Sequence, residues 1–353
     1  MLRLNRKLRI FLVIFAILGI IRVILPSVAK TVINNRLQEV SPSISAHVND
    51  VDLAIIRGSY TLKGITAHIK KNKKQILAVE SVNASLLWKD LFSGLISSNI
   101  VIRKAQMNIT PSLIPAIKEH LAKVDVTEEV KEEARRYILK LPRIDLIDSS
   151  VTTDYFPALT KKEGILMTGI NGRVTNLIPT VENQLSPFNL QGTILGTGEM
   201  KLEGEMDLYG KAPKWSVDSE ILHFDMTTLN KFLKEKVPLT FTKGEIDLYA
   251  EAKSEGGPVT GYMKPFVKGL DVIKSDEEFK NTGHWFIEII SALSNITLEA
   301  EEVVATKIPF SYDKEFKVDT GETIEKAITH GFSQQQSRGI ENSIDLKQAQ
   351  EEK

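Results

Sequence analysis

Six histidines, His47, His68, His120, His223, His284 and His330, are the first residues to test for chemistry. No two of them share metal-ligand spacing, and none stands near a paired carboxylate in sequence. Each therefore reads as a core or surface residue. Cysteine is absent, which excludes a thiolate zinc site, a cysteine nucleophile and a disulfide framework. Neither H-E-x-x-H nor G-x-S-x-G occurs. The segment Gly192-Thr-Ile-Leu-Gly-Thr-Gly198 is rich in glycine but lacks the Gly-Lys-Ser/Thr ending of a phosphate loop. It also leads into a strand pattern, whereas a phosphate site needs a helix N-terminus. Asp52, Asp145, Asp207 and Asp247 are each flanked by apolar residues, which in an alternating strand places them on a solvated face. The sequence thus predicts no catalytic residue, no metal and no cofactor, and the chain is not read as an enzyme.

What remains is apolar surface. Gly204-Glu-Met-Asp-Leu-Tyr-Gly210 recurs 40 residues later as Gly244-Glu-Ile-Asp-Leu-Tyr-Ala250. Each copy is expected to open a strand after a glycine-containing turn. Two copies fall short of a solenoid but suggest a strand–turn–strand unit repeated in one extended sheet. Met206, Leu208, Ile246 and Leu248 would point the same way from neighbouring repeats. Two readings stand: an ordinary sheet packed under helices, or a groove that holds acyl chains. Aliphatic walls suit acyl chains, because their burial yields about 25 cal/mol per Å² without polar partners.

Period-two alternation begins after Pro42, with Val51, Leu53 and Ile55 on one face and Tyr60–Ile65 following a Gly58-Ser59 turn. The run Lys70-Lys-Asn-Lys-Lys-Gln75 reads as a solvated hairpin tip. Strands are expected at Leu77–Leu87 and Ile100–Ile109, then a helical insertion at about 111–141. Its second helix has Asp125 as cap, Glu128 in capping-box spacing and Val126, Val130, Ala134, Ile138 and Leu141 on one face. Further strands follow, among them Ile144–Leu146, Val151–Tyr155, Ile165–Leu177, Phe188–Leu195, Glu199–Tyr209, Lys214–Phe224, Leu239–Ala250 and Val259–Val267. Short helices are expected at Met226–Val237, His284–Leu293 and Glu322–His330, with strands at Asn295–Glu302, Thr306–Tyr312 and Glu315–Val318. From Ser333 the chain is polar and Gln/Glu-rich, the composition of a disordered tail.

At the N-terminus, Arg3, Arg6, Lys7 and Arg9 precede the apolar run Ile10–Ile21, which Val23-Ile-Leu25 extends past Arg22. A helix from Leu8 to Leu25 would span about 27 Å, close to the thickness of a bilayer core. The basic cluster predicts a cytoplasmic N-terminus and export of the rest. A cleaved signal peptide is the other reading, with Ser27-Val28-Ala29 as a cleavage-like site. Both export the domain. Forty-five basic residues balance 45 acidic ones, so no global field recruits nucleic acid.

Several of these segments together resemble the AsmA-like group of bacterial envelope proteins, in particular its shorter members. They are the anchor with Val48–Leu53, Tyr60–Ile65, Ser85-Leu-Leu-Trp-Lys-Asp-Leu-Phe-Ser-Gly94, Leu229–Leu233, Phe241–Tyr249, Gly261–Val267 and Leu270–Val272. The resemblance implies a mainly β protein with a few helices: an N-terminal transmembrane helix, then an extended, curved antiparallel β-sheet with a hydrophobic groove. It divides the chain into the anchor and following helix (1–40), a periplasmic β-rich domain (41–332) and the polar tail (333–353). It further implies an inner-membrane location and a role in lipid transport or outer-membrane lipid homeostasis. The expected partners are phospholipid or another acyl-chain lipid and the inner membrane. The alternative is a non-enzymatic envelope scaffold that binds a protein partner.

Overall fold

The computed structural model describes residues 6–39, 41–54, 57–91, 93, 95–113, 115–116, 119, 139–154, 164–178, 184–207, 214–230, 239–274, 303–305, 307–313, 315–318, 337–344 and 346. Among the described residues the chain builds one large, open, curved sheet of fourteen strands. A long helix, α1 (Arg6–Glu39), leads into β1 (Ile44–Ala54), β2 (Ser59–Ile69) and β3 (Gln75–Leu86). A single turn of helix, α2 (Trp88–Leu91), then connects to β4 (Ile96–Ile109). The second run contains β5 (Leu139–Thr153), β6 (Ile165–Leu177), β7 (Ser186–Ile194), β8 (Gly198–Asp207) and β9 (Lys214–Asp225). It continues through β10 (Leu239–Glu255), β11 (Val259–Lys274), β12 (Val303–Ala305), β13 (Ile308–Asp313) and β14 (Glu315–Val318). Spatial order follows chain order, except that β12 pairs with β11 beside β13.

The sheet is not purely antiparallel, as had been expected. β4 and β5 run parallel, from Ile96 opposite Leu139 to Ile109 opposite Thr153. A parallel step needs a long crossover, and it falls on residues 110–138, where the helical insertion is expected; the second helix of that insertion, with Asp125, Val126, Glu128, Val130, Ala134 and Ile138, lies outside the described residues. The first turn of the insertion packs Leu113 and Ala116 against Ala67, Ile69 and Ile76. The expected amphipathic helix was carried to Leu141, but Leu139–Leu141 already belong to β5. The two strands expected at Ile144–Leu146 and Val151–Tyr155 are joined within β5. The turn-like residues between them become bulges around Ser149, with Asp148 at a φ of 49°.

One open edge of the sheet is covered by α1. Asn34 donates from Nδ2 to the Val48 carbonyl (3.0 Å), and its Oδ1 accepts from the Val48 N–H (2.7 Å). An amide side chain thus stands in for a further strand and satisfies the edge. The Lys70 ammonium donates to the carbonyls of Gln38 and Ser41 and closes the helix C-terminus. Asn230 repeats the edge device on Phe241, with both bonds at 2.8 Å. The Lys70–Gln75 tip is the tight turn that was expected, with Lys73 at a φ of 55°.

Among the described residues no helix is long and apolar enough to cross a membrane. The run Ile10–Ile21 lies within α1, and its side chains through Leu18 fall outside the description. Expected elements at His284–Leu293, Asn295–Glu302 and Glu322–His330 also lie outside the described residues, as does most of Met226–Val237.

The expected disordered tail is corrected over residues 337–344. They are seated on the sheet by hydrogen bonds to Glu251 and Lys264. Composition hides this, because the segment is held through backbone N–H groups and charge instead of apolar side chains.

Candidate functional site

Strand register sorts the residues of β7–β13 into two chemically opposite faces. Partners directly opposite in an antiparallel ladder point the same way. One row runs Gly192, Met200, Ile221, Leu248, Pro265. The next runs Leu190, Leu202, Ser219, Ala250, Met263, Ile308. A third runs Phe188, Gly204, Val217, Ala252, Gly261, Phe310. A fourth includes Met206, Trp215, Ser254 and Val259. This face carries no charged side chain in any of these rows, and most of its members are half-buried.

Two glycines set the texture of its floor. A Cβ on Gly204 would stand 2.1 Å from the Ser216 carbonyl oxygen and 2.9 Å from the Phe188 ring. A Cβ on Gly261 would meet the Glu251 carbonyl oxygen at 2.3 Å and the Phe310 ring at 2.7 Å. The absent side chains let neighbouring strands close up and let both rings lie over the backbone. Toward the β10 start the face closes into a small core, where Val267 and Leu270 are fully buried, with Phe224, Met226 and Phe241 nearly so.

Met206, Ile246 and Leu248 lie on this apolar face, as expected; Leu208 lies outside the described residues. They are not brought together as side-by-side repeats. Met206 is opposite Trp215, which is opposite Ser254, so it stands about 20 Å along the strand direction from Leu248. The first copy of the repeat also closes β8, although it was expected to open a strand. Sequence similarity does not fix ladder register, and β9 sits between the two copies. Ile246 pairs with Val267 and Phe224 at the closed end, whereas Leu248 lies toward the open stretch.

The opposite face is polar, and its β10–β11 part is covered by residues 337–344. Glu251 and Lys264 are both 0% exposed. Glu251 accepts from the Tyr262 hydroxyl and from the backbone N–H groups of Glu341 (2.7 Å), Ser343 (2.8 Å) and Ile344 (2.9 Å). Lys264 donates to the Ser337 carbonyl (3.3 Å) and to Glu341 (3.1 Å), which Lys307 also holds. Arg338 pairs with Asp247 at 3.3 Å and lies over the Phe266 ring. Burial alone pushes the Glu251 carboxyl up. The Tyr262 hydroxyl and the backbone N–H groups outweigh it and hold the group below its ordinary value. The same burial, with Glu251 beside it, pushes the Tyr262 hydroxyl well up. Farther along, Asn342 and Ile344 border a cavity of about 330 Å³ with Asn189, Glu203, Glu205 and Asp218.

Three of the four aspartates read as solvated are buried: Asp145, Asp207 and Asp247. Asp145 sits between Arg143 (2.6 Å) and Arg173 (2.7 Å). Its burial raises the carboxyl, but the two guanidinium groups outweigh that and hold it below the ordinary value. Alternation marked these positions as polar, while Arg173, 28 residues from Asp145, and Arg338 on Asp247 are brought in only by the fold. Nothing near Glu251 signalled its role either, since its partner Ser343 is 92 residues away. Among the described residues no cluster of three metal-ligating side chains occurs.

No protein-family model matches the chain, and a search of characterised proteins finds no match.

Proposed function

We propose that the chain is a membrane-anchored envelope protein whose apolar sheet face holds the acyl chains of a lipid. The observation that carries this reading is the inverted polarity of the sheet. The aliphatic face of β7–β13 is left half-exposed, while on the opposite face residues 337–344 cover the charged groups of β10 and β11, Glu251 and Lys264. Extended apolar surface of this kind marks a binding surface. Its rows carry no charge to repel an acyl chain, and the buried Ser254 hydroxyl is already bonded to the Gly257 carbonyl. The α1 sequence supports anchoring by Ile10–Ile21, with the basic cluster on the cytoplasmic side. The resemblance to the AsmA-like group supports the inner membrane, the periplasm and a part in outer-membrane lipid homeostasis.

Native mass spectrometry of the full chain, released from membranes in mild detergent, tests the reading. Co-purified phospholipid is the expected result. A chain free of lipid that instead retains a protein partner on this face would replace lipid binding with the scaffold role.

A further inference from the structure

We infer that α2, with Arg57 and Gly58 beside it, forms a second membrane contact, dipping into the anionic headgroup layer beside the anchor. This rests on the anchoring reading above. Trp88 is 40% exposed and Leu91 39% exposed, side by side on a single helical turn. The turn is rigid. Leu87 N–H donates to the Ser97 carbonyl and Leu86 N–H to the Gly58 carbonyl. The indole lies against Gly58, where a Cβ would meet its Nε1 at 2.7 Å. An exposed tryptophan held in place by its surroundings has a low entropic cost of insertion. Indole and leucine are the side chains that partition into a membrane interface.

The position of α2 matches that of the apolar run. α1 turns back along β1, and Asn34 meets Val48. The six residues from Val48 to Ala54 cover about 20 Å of strand, which equals about 13 helical residues. Helix residues near Ile21 and Arg22 are therefore level with the end of β1, and the run Ile10–Ile21 begins where the sheet stops. That end of the sheet also holds the start of β2 and the β3–β4 connection, because Ala54 is opposite Ser59, Ser59 opposite Ser85 and Leu86 opposite Ser98. α2 lies there, about 10 Å (two strand spacings) in from the covered edge. Ile24 and Leu25, also exposed, continue the apolar surface on α1 itself.

The charges fit a lipid surface. Arg57 and Lys89 are exposed next to Trp88, and neither forms an ion pair among the described residues. Only Asp90 opposes them within α2. Cations flanking an inserted indole are placed for phosphate groups of anionic lipids.

The chain has no cysteine, so single reporters can be placed on the full-length protein. Nitroxide labels at Ser93→Cys beside α2, Lys73→Cys at the far hairpin tip and Gly19→Cys in the apolar run would be read in nanodiscs containing anionic lipid. Collisional accessibility to oxygen and to a nickel chelate gives the depth of each. The expected result is lipid-like accessibility at 19, interfacial accessibility at 93 and water-like accessibility at 73. Water-like accessibility at 93 with 19 in lipid overturns this contact and leaves the anchor intact. Water-like accessibility at 19 overturns both. Arg57→Gln with Lys89→Gln should move the label at 93 toward water in anionic discs, and an unmoved label removes the headgroup contribution.

Discussion

Replacing Glu251 with glutamine should undock the C-terminal strap. The carboxylate accepts five hydrogen bonds: two at Oε1, from the Tyr262 hydroxyl and Glu341 N–H, and three at Oε2, from Ser343 N–H, Ser343 hydroxyl and Ile344 N–H. A glutamine keeps one oxygen. If its NH₂ replaces Oε2, two buried backbone N–H groups face a donor. If the amide flips, the Tyr262 hydroxyl can rotate, but Glu341 N–H faces the NH₂ and keeps only its longer bond to the Tyr262 hydroxyl (3.2 Å). Each buried donor left unpaired costs about 1–3 kcal/mol, so the strap should lose about 3 kcal/mol, roughly two orders of magnitude in its docked-to-undocked ratio. Amide hydrogen exchange at Ser343 and Ile344 reads that ratio directly. A chain ending at Gln336 completes a double-mutant cycle. In that background the strap's donors are gone and only the Tyr262 hydroxyl remains, which the glutamine oxygen also accepts, so Glu251→Gln should leave the melting temperature nearly unchanged. Equal destabilisation in both backgrounds, or unchanged protection at 343 and 344, would refute the anchoring role of Glu251.

Acid should loosen the same strap. The Glu251 and Glu341 carboxyls are both held below their ordinary value of 4.5. Their contribution is therefore complete above that value and is lost as pH falls through the lower folded values; exchange at Ser343 should accelerate only below about pH 4.5. Glutamate at the two ends of the apolar face should behave oppositely. Ile246→Glu sits against buried Val267 and Phe224 and should cost several kcal/mol. Ala252→Glu on the half-exposed stretch should leave circular dichroism intact and abolish lipid co-purification; retained lipid there would mean the acyl chains lie elsewhere. Asn34→Ala removes both hydrogen bonds to Val48. It should lower stability by about 2 kcal/mol and promote edge-to-edge association measurable by light scattering, while an unchanged monomer would refute edge protection.

Strand positions were legible wherever the apolar period of two ran between glycines. Val51 and Leu53 marked β1, and Gln75–Leu86 followed the lysine tip. Met206, Ile246 and Leu248 share one face of the sheet because alternation alone sorts side chains to faces. Their spacing across the sheet was not legible, since the near-identical words at 204–210 and 244–250 carry no information about ladder register. The strap escaped because its contacts are backbone N–H groups meeting a carboxylate 90 or more residues away, and polar composition describes a docked segment and a solvated one equally well. The exposed Trp88 could be read as a residue but not as a surface, because its meaning comes from the sheet end on which it stands.

The parallel join of β4 and β5 divides the folding problem. On either side of it, each strand finds its partner through a hairpin or a short return, so β1–β4 and β5–β11 can zip by nearest-neighbour pairing on a microsecond scale per hairpin. The join itself requires the chain to travel the length of the sheet through residues 110–138 before a single pair forms, and that closure entropy precedes any reward. Destabilising Leu113 or Ala116, which pin the start of the crossover to the first unit, should slow the union of the two units while leaving the formation of each untouched. The topology therefore predicts growth from two nuclei, with the seam between β4 and β5 as the last native contact to form.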